Sequence, residues 1–202
     1  MFLYFDLGMV LVTFSVERMC RQMGQVAAID PGRVREILFS GDLQRDYEAG
    51  RISTSDFYEA FCRDSGTRPD ASALVAAAAD IFELNVSMLP VVAGLRAAGY
   101  RLGILSNTCA AHWEFCLRRY AIVGETFAVY ATSYQLGVCK PDAAIFRRAA
   151  ELAGAAPGEI FFTDDIARHV AGARAAGWDA VQYTSTPELA AELRQRGIRF
   201  NY

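Results

Sequence analysis

From residue 88 onward the chain alternates between short apolar runs and longer amphipathic stretches, and this alternation constrains the fold more than any other feature. "PVVAGLRAAGY" has helical spacing and is followed by the apolar run "RLGILS". The pairing recurs as "CAAHWEFCLRRY" with "FAVYATS", "PDAAIFRRAAELAG" with "EIFFT", and "RHVAGARAAG" with "WDAVQYT", before a last helix, "TPELAAELRQRG". Short apolar runs bounded by turn residues read as strands buried on both faces. Strands joined through helices by short connections form a parallel, doubly wound sheet. "FLYF" at residues 2–5 supplies one more buried strand, ended by Gly8.

A different texture lies between these parts. "SVERMCRQMG", "PGRVREILFSGDLQRDYEAG", "STSDFYEAFCRDSG" and "DASALVAAAADIFEL" each read as a helix. Their Ser, Asp and Asp-Pro starts and glycine stops are helix-boundary signals. Ser53 and Asp56 have the spacing of a capping box, with Asp in place of the usual Glu. Residues 15–86 are therefore expected to form an all-helical insertion, and residues 1–14 and 87–202 the α/β core.

With 202 residues, 53% of them apolar, the chain can bury a substantial core. A net charge of −3 argues against nucleic acid or an anionic membrane as partner. The five cysteines are odd in number and form no C-x-x-C pair, which fits free thiols in a reducing compartment. No run approaches the ~18 apolar residues of a membrane helix. The first apolar run has no basic residues before it and is broken by Asp6, unlike a secretory signal. The expectation is a cytoplasmic chain.

In open parallel sheets, ligands bind beyond the carboxyl ends of the strands. Asp6 follows "FLYF"; Ser106, Asn107 and Thr108 follow "RLGIL"; Lys140 lies in the loop after "FAVYATS"; Thr163, Asp164 and Asp165 follow "EIFF". Taken singly, each has a bland explanation, such as a turn cap, a helix N-cap or a surface lysine. Together at four strand ends they suit phosphoryl transfer. Asp6 and Asp165 are hard oxygen ligands for Mg²⁺, Ser106 and turn N–H groups can hold phosphate oxygens, and Lys140 adds positive charge. An aspartate can also act as a covalent nucleophile.

These four stretches resemble, in order, the four motifs of the haloacid dehalogenase-like hydrolases: "YFDLGMVLV", "GILSNT", "GVCKPDAAIF" and "IFFTDDIARHVAGARAAGW". The helical insertion sits where that family carries its C1 cap on a Rossmann-like core. In texture the chain is similar to bacterial phosphatases acting on α-D-glucose 1-phosphate and related sugar phosphates, which share "FDLG" and the "DD" pair. The resemblance implies Asp6 as nucleophile and metal ligand, with the Gly8 carbonyl and Asp165 completing a Mg²⁺ site and Asp164 in support. It implies Ser106 and Asn107 as phosphate-binding residues and Lys140 as the group that stabilises an aspartyl-phosphate. The implied substrate is a small phosphorylated metabolite, sugar phosphates among them.

Two positions depart from that pattern. Most phosphatases of the family place an acid–base Asp two residues after the nucleophile, where this chain has Gly8. His169 stands where the subgroup usually has Asn. Asp42, Asp46 and Glu48 in the insertion are candidate replacement proton donors, beside bound water or a leaving group that departs without a proton. His112 and His169 are expected to be structural or local hydrogen-bonding groups, and Trp113, Phe115 and Tyr134 to be core residues. Two alternative functions stand beside the phosphatase. One is a metal-independent 2-haloacid dehalogenase, disfavoured by the Asp164–Asp165 pair; the other is a phosphometabolite-binding protein without turnover, favoured by Gly8.

Overall fold

The computed structural model describes residues 1–202. Strand β1 (Phe2–Phe5) is central to a five-stranded parallel sheet with β4 (Arg101–Ser106), β5 (Val129–Thr132), β6 (Ile160–Asp164) and β7 (Asp179–Gln182), ordered β5-β4-β1-β6-β7. Successive side chains of a strand point to opposite faces. Leu3 and Phe5 accordingly join one apolar cluster, while Phe2 and Tyr4 join the other. Helices α6 (Met88–Ala97), α7 (Ala110–Arg119), α8 (Ala121–Glu125), α9 (Ser133–Leu136), α10 (Ala143–Ala153), α11 (Ala167–Ala175) and α12 (Thr186–Gln195) make up the rest of this α/β, doubly wound, Rossmann-like layer.

Five helices stand between the first strands and α6: α1 (Val16–Ala27), α2 (Pro31–Phe39), α3 (Leu43–Glu48), α4 (Thr54–Ser65) and α5 (Ala71–Ala79). Ser15, Asp30, Ser53 and Asp70 cap four of them with side-chain oxygens, and Ser53 with Asp56 forms the expected capping box. Their apolar faces (Met19, Leu38, Phe61 and Leu74 among them) belong to the same cluster as one face of the sheet.

Three boundaries in the inserted segment differ from those expected, and α8 and α9 are helices that the alternation did not mark. The single helix expected over residues 31–50 is divided at Ser40–Asp42 into α2 and α3. The helix expected to stop at Gly24 continues to Ala27, with Ala28 left-handed at its end. Gly24 is instead a point of close approach, since a Cβ there would lie 2.8 Å from the Ile29 carbonyl oxygen. The helix expected to run to Leu84 ends at Ala79, because Phe82–Leu84 is strand β3, paired antiparallel with β2 (Val12–Phe14). This two-stranded ribbon carries the chain into and out of the helical insertion. No helix is long and apolar enough to cross a membrane.

Candidate active site

The adjacent strand ends of β1 and β6 bring three carboxylates together: one oxygen each from Asp6, Asp164 and Asp165 lies within 4.8 Å of the others. Lys140 arrives from the loop after β5, with its ammonium 3.0 Å from Asp6 Oδ1, 2.5 Å from Asp164 Oδ2 and 3.0 Å from the Leu105 carbonyl. Hydrogen bonds to Asp164 and Leu105 and the ion pair with Asp6 fix the charge in place. Burial alone would release the Lys140 proton, but the two carboxylates more than offset this and hold its pKa above the ordinary value.

The carboxylates differ in what surrounds them. Burial pushes the Asp6 pKa up to about 7, with Lys140 pulling it down and Asp164 pushing it further up. The hydrogen bond from the Leu7 N–H and the ion pair with Lys140 both fall on Asp6 Oδ1. Burial would also raise Asp164, but the His169 hydrogen bond and Lys140 prevail and bring it to about 2. Asp164 receives the His169 ring at Nδ1, 3.1 Å from either oxygen, and the Ile166 N–H at 2.8 Å. A carboxylate can only accept, so Nδ1 carries the proton. His169 is thus the local hydrogen-bonding residue expected from the sequence. Asp165 is half-buried, and burial followed by the Asp164 charge raises its pKa.

Three buried or half-buried acids against one lysine leave excess negative charge, and the donors are all hard oxygens. That set fits a divalent cation of the Mg²⁺ type. Asp164 is already committed to Lys140 and His169, whereas Asp165 and the second oxygen of Asp6 carry no such commitments.

Other expected residues sit nearby with varied roles. Ser106 is buried at the end of β4. The Asn107 side chain grips the Lys140 backbone from both sides, accepting its N–H at 2.7 Å and donating to its carbonyl at 3.0 Å. That side chain therefore positions the lysine loop. Gly8 does not supply the left-handed residue of the turn after β1, a place taken by Met9 at φ 57°. The tight neighbour of position 8 is the ring of Phe14, whose Cε1 would lie 3.0 Å from a Cβ.

A cavity of 130 Å³ opens beside Gly8, Ser106, Asn107 and Thr108 and is closed from the other side by the insertion and the ribbon. Its wall is largely apolar, with Phe14, Met19, Phe39 and Phe82 in it, and Gln44, Glu48 and His112 supply side-chain polar groups. Asp42 and Asp46 are instead paired with Arg45 and Arg51 and do not line it. Burial lowers the His112 pKa to about 4, and Nε2 donates to the Ala78 carbonyl at 3.2 Å. Trp113, Phe115 and Tyr134 pack with the core. All five cysteines are free, and burial raises the Cys139 thiol beside Lys140.

Little in the sequence marks the segment that seats the insertion on the core. Tyr47 accepts the Ala111 N–H at 3.2 Å, and Ser133 donates to the Glu48 carbonyl at 2.5 Å. Gly50, at φ 67°, lies so close to Tyr134 that a Cβ would come 2.1 Å from its carbonyl oxygen. The glycine after "YEA" is the one trace of this contact in the sequence.

The chain is 27% identical to a HAD-like family hydrolase from Porphyromonas gingivalis, with a TM-score of 0.81 over 95% of this chain and 97% of that one. Its fold is also that of the HAD family enzyme BT-2542 from Bacteroides thetaiotaomicron, solved with magnesium and inorganic phosphate. There the TM-score is 0.80 at 23% identity, over 90% of this chain and 93% of the other. Over 91 residues it is 32% identical to Phosphatase MT3486 of Mycobacterium tuberculosis, a stretch covering 45% of this chain and 42% of that relative. Residues 44–177 match the haloacid dehalogenase-like hydrolase family. The chain belongs to that family of hydrolases.

Proposed function

We propose that the chain is a Mg²⁺-dependent phosphatase of small phosphorylated metabolites, working through an aspartyl-phosphate on Asp6. The observation that carries this reading is the cluster of Asp6, Asp164 and Asp165 with Lys140 bound between the first two. Asp6 attacks phosphorus through one of its carboxylate oxygens, and water later cleaves the acyl phosphate. Lys140 offsets the charge on Asp6 and on the incoming phosphate, and keeps the nucleophile aimed. Ser106 and the backbone beside it receive phosphate oxygens. Asp6, Asp165 and the Gly8 carbonyl would hold Mg²⁺, which when bound supplies charge neutralisation at the transferring phosphoryl group. The names of two relatives support the reading: one is a phosphatase, and the other was solved with magnesium and inorganic phosphate.

Residues 15–86 act as a cap that covers the site and excludes bulk water. The apolar cavity wall favours a leaving group with an apolar face over one that is polar all round. The proposed setting is the cytoplasm, with no nucleic-acid or membrane partner.

The test is phosphate release with Mg²⁺ from a panel including hexose 1-phosphates and acetyl phosphate. Release should vanish on chelation by EDTA and in Asp6→Asn. Chloride release from 2-chloropropionate without added metal would instead establish a dehalogenase. A second reading, a phosphometabolite-binding protein without turnover, draws on the missing side chain at Gly8. It prevails if phosphate binds and no panel member is hydrolysed.

A further inference from the structure

Expelling an alkoxide needs a proton, and position 8, next to the nucleophile, has no side chain to give one. A Cβ at residue 8 would also lie 3.0 Å from the Phe14 ring, a tight contact. A side-chain donor would therefore come from another part of the wall. The cavity is small: 130 Å³ is about 6 Å across if round, comparable to cavities that admit a benzene ring. Groups on its opposite walls are within reach of one bound molecule.

Two lining side chains titrate, Glu48 and His112. His112 spends its Nε2 proton on the Ala78 carbonyl, and burial keeps the ring neutral at ordinary pH. Glu48 is at the last position of α3, and its backbone is anchored to the core on both sides. Its carbonyl accepts from Ser133, Tyr47 before it accepts the Ala111 N–H, and Gly50 after it packs on Tyr134. One carboxyl oxygen accepts from Gln44 Nε2 at 2.8 Å. No lysine or arginine pairs with the carboxyl, unlike Asp42 and Asp46. The charged or titratable groups felt around it are the thiols of Cys109 and Cys139, with Arg51 and Lys140 also acting on Cys139. Burial raises the Glu48 pKa, and the Gln44 hydrogen bond only partly opposes this.

We infer that Glu48, reaching across from the insertion, is the general acid and base of the phosphatase proposed above. As the Asp6 oxygen bonds to phosphorus and the bond from phosphorus to the leaving oxygen breaks, Glu48 gives that oxygen its proton. In the second half, water attacks phosphorus, the bond to Asp6 breaks, and Glu48 takes back one proton from the water. The carboxyl ends each cycle as it began. The inference rests on the phosphatase reading and adds to it a catalytic side chain supplied by the cap.

The test compares Glu48→Gln with the unaltered chain on p-nitrophenyl phosphate, whose leaving group departs as a stable anion, and on a simple alkyl phosphate, whose leaving group needs the proton. The measured quantity is kcat/KM, which reports formation of the acyl phosphate. Glu48→Gln should lose about 10²-fold or more on the alkyl ester and less than about tenfold on the nitrophenyl ester. Equal losses on both esters, or no loss on the alkyl ester, overturn the role of Glu48 while leaving the phosphatase standing. An unaltered chain that hydrolyses neither ester, nor any member of the metabolite panel, overturns the phosphatase and this inference with it. Unchanged melting of Glu48→Gln shows that the fold is intact.

Discussion

At the residue scale, the site combines two kinds of information. Asp6, Lys140, Asp164 and Asp165 were legible because each follows a recognisable apolar run, and parallel topology gathers strand ends on one edge. What each of them does locally was less legible. The division of labour between Asp164 and Asp165, the first tied to Lys140 and His169 and the second without such ties, depends on rotamers that no spacing encodes. Gly8 shows the same limit. Its sequence neighbours do not show that the ring of Phe14, from β2, is the tight contact at its Cβ position. Replacing Gly8 with Asp should therefore force the Phe14 ring aside and cost about 1–3 kcal/mol of stability. Phe14→Ala in the same chain should remove most of that cost. Urea unfolding of the two single variants and the double variant measures the coupling. Additive losses would show that Phe14 is not what keeps position 8 bare.

At the element scale, alternation and capping residues located the sheet strands and most helices, because these signals are local. They did not locate β2, β3 or the break between α2 and α3. A three-residue strand is too short for its period to register, and its pairing partner lies on the far side of the insertion. The seating of α3 on the core was equally hidden, being a contact between backbones distant in sequence. Gly50 tests it. An alanine there bears both a left-handed backbone and a Cβ 2.1 Å from the Tyr134 carbonyl oxygen. Gly66 is a control, since it has φ 71° with nothing within 4 Å of its Cβ position. Gly66→Ala should cost only the backbone strain, about 1–2 kcal/mol. Gly50→Ala should cost about 1–3 kcal/mol beyond that, from the displaced contact. Because the same segment carries Glu48, Gly50→Ala should also reduce kcat/KM, whereas Gly66→Ala should leave it near the unaltered value. Equal costs in the two variants would mean that the insertion is not seated through residue 50.

At the scale of the whole molecule, the insertion and core share one apolar cluster, and a buried imidazole ties them as well. His112 belongs to α7 of the core, and its Nε2–H donates to the Ala78 carbonyl of α5 in the insertion. Burial lowers the pKa from 6.5 to about 4 in the folded chain. Between those values the unfolded chain binds a proton that the folded chain refuses, so folding stability rises with pH across that window. The contribution is fully present above pH 6.5, falls as the pH drops toward 4, and then levels off. At 1.36 kcal/mol per pH unit, the loss across the window is about 3 kcal/mol. Urea unfolding between pH 4.5 and 7 should therefore be steeper in its pH dependence for the unaltered chain than for His112→Gln, which keeps an amide donor near Ala78 but does not titrate. The carboxylates titrate in both chains, so the difference between the two slopes isolates the imidazole. Identical slopes would mean that His112 takes up its proton in the folded chain as readily as in the unfolded one. The junction between insertion and core would then be open enough to water to solvate a charge.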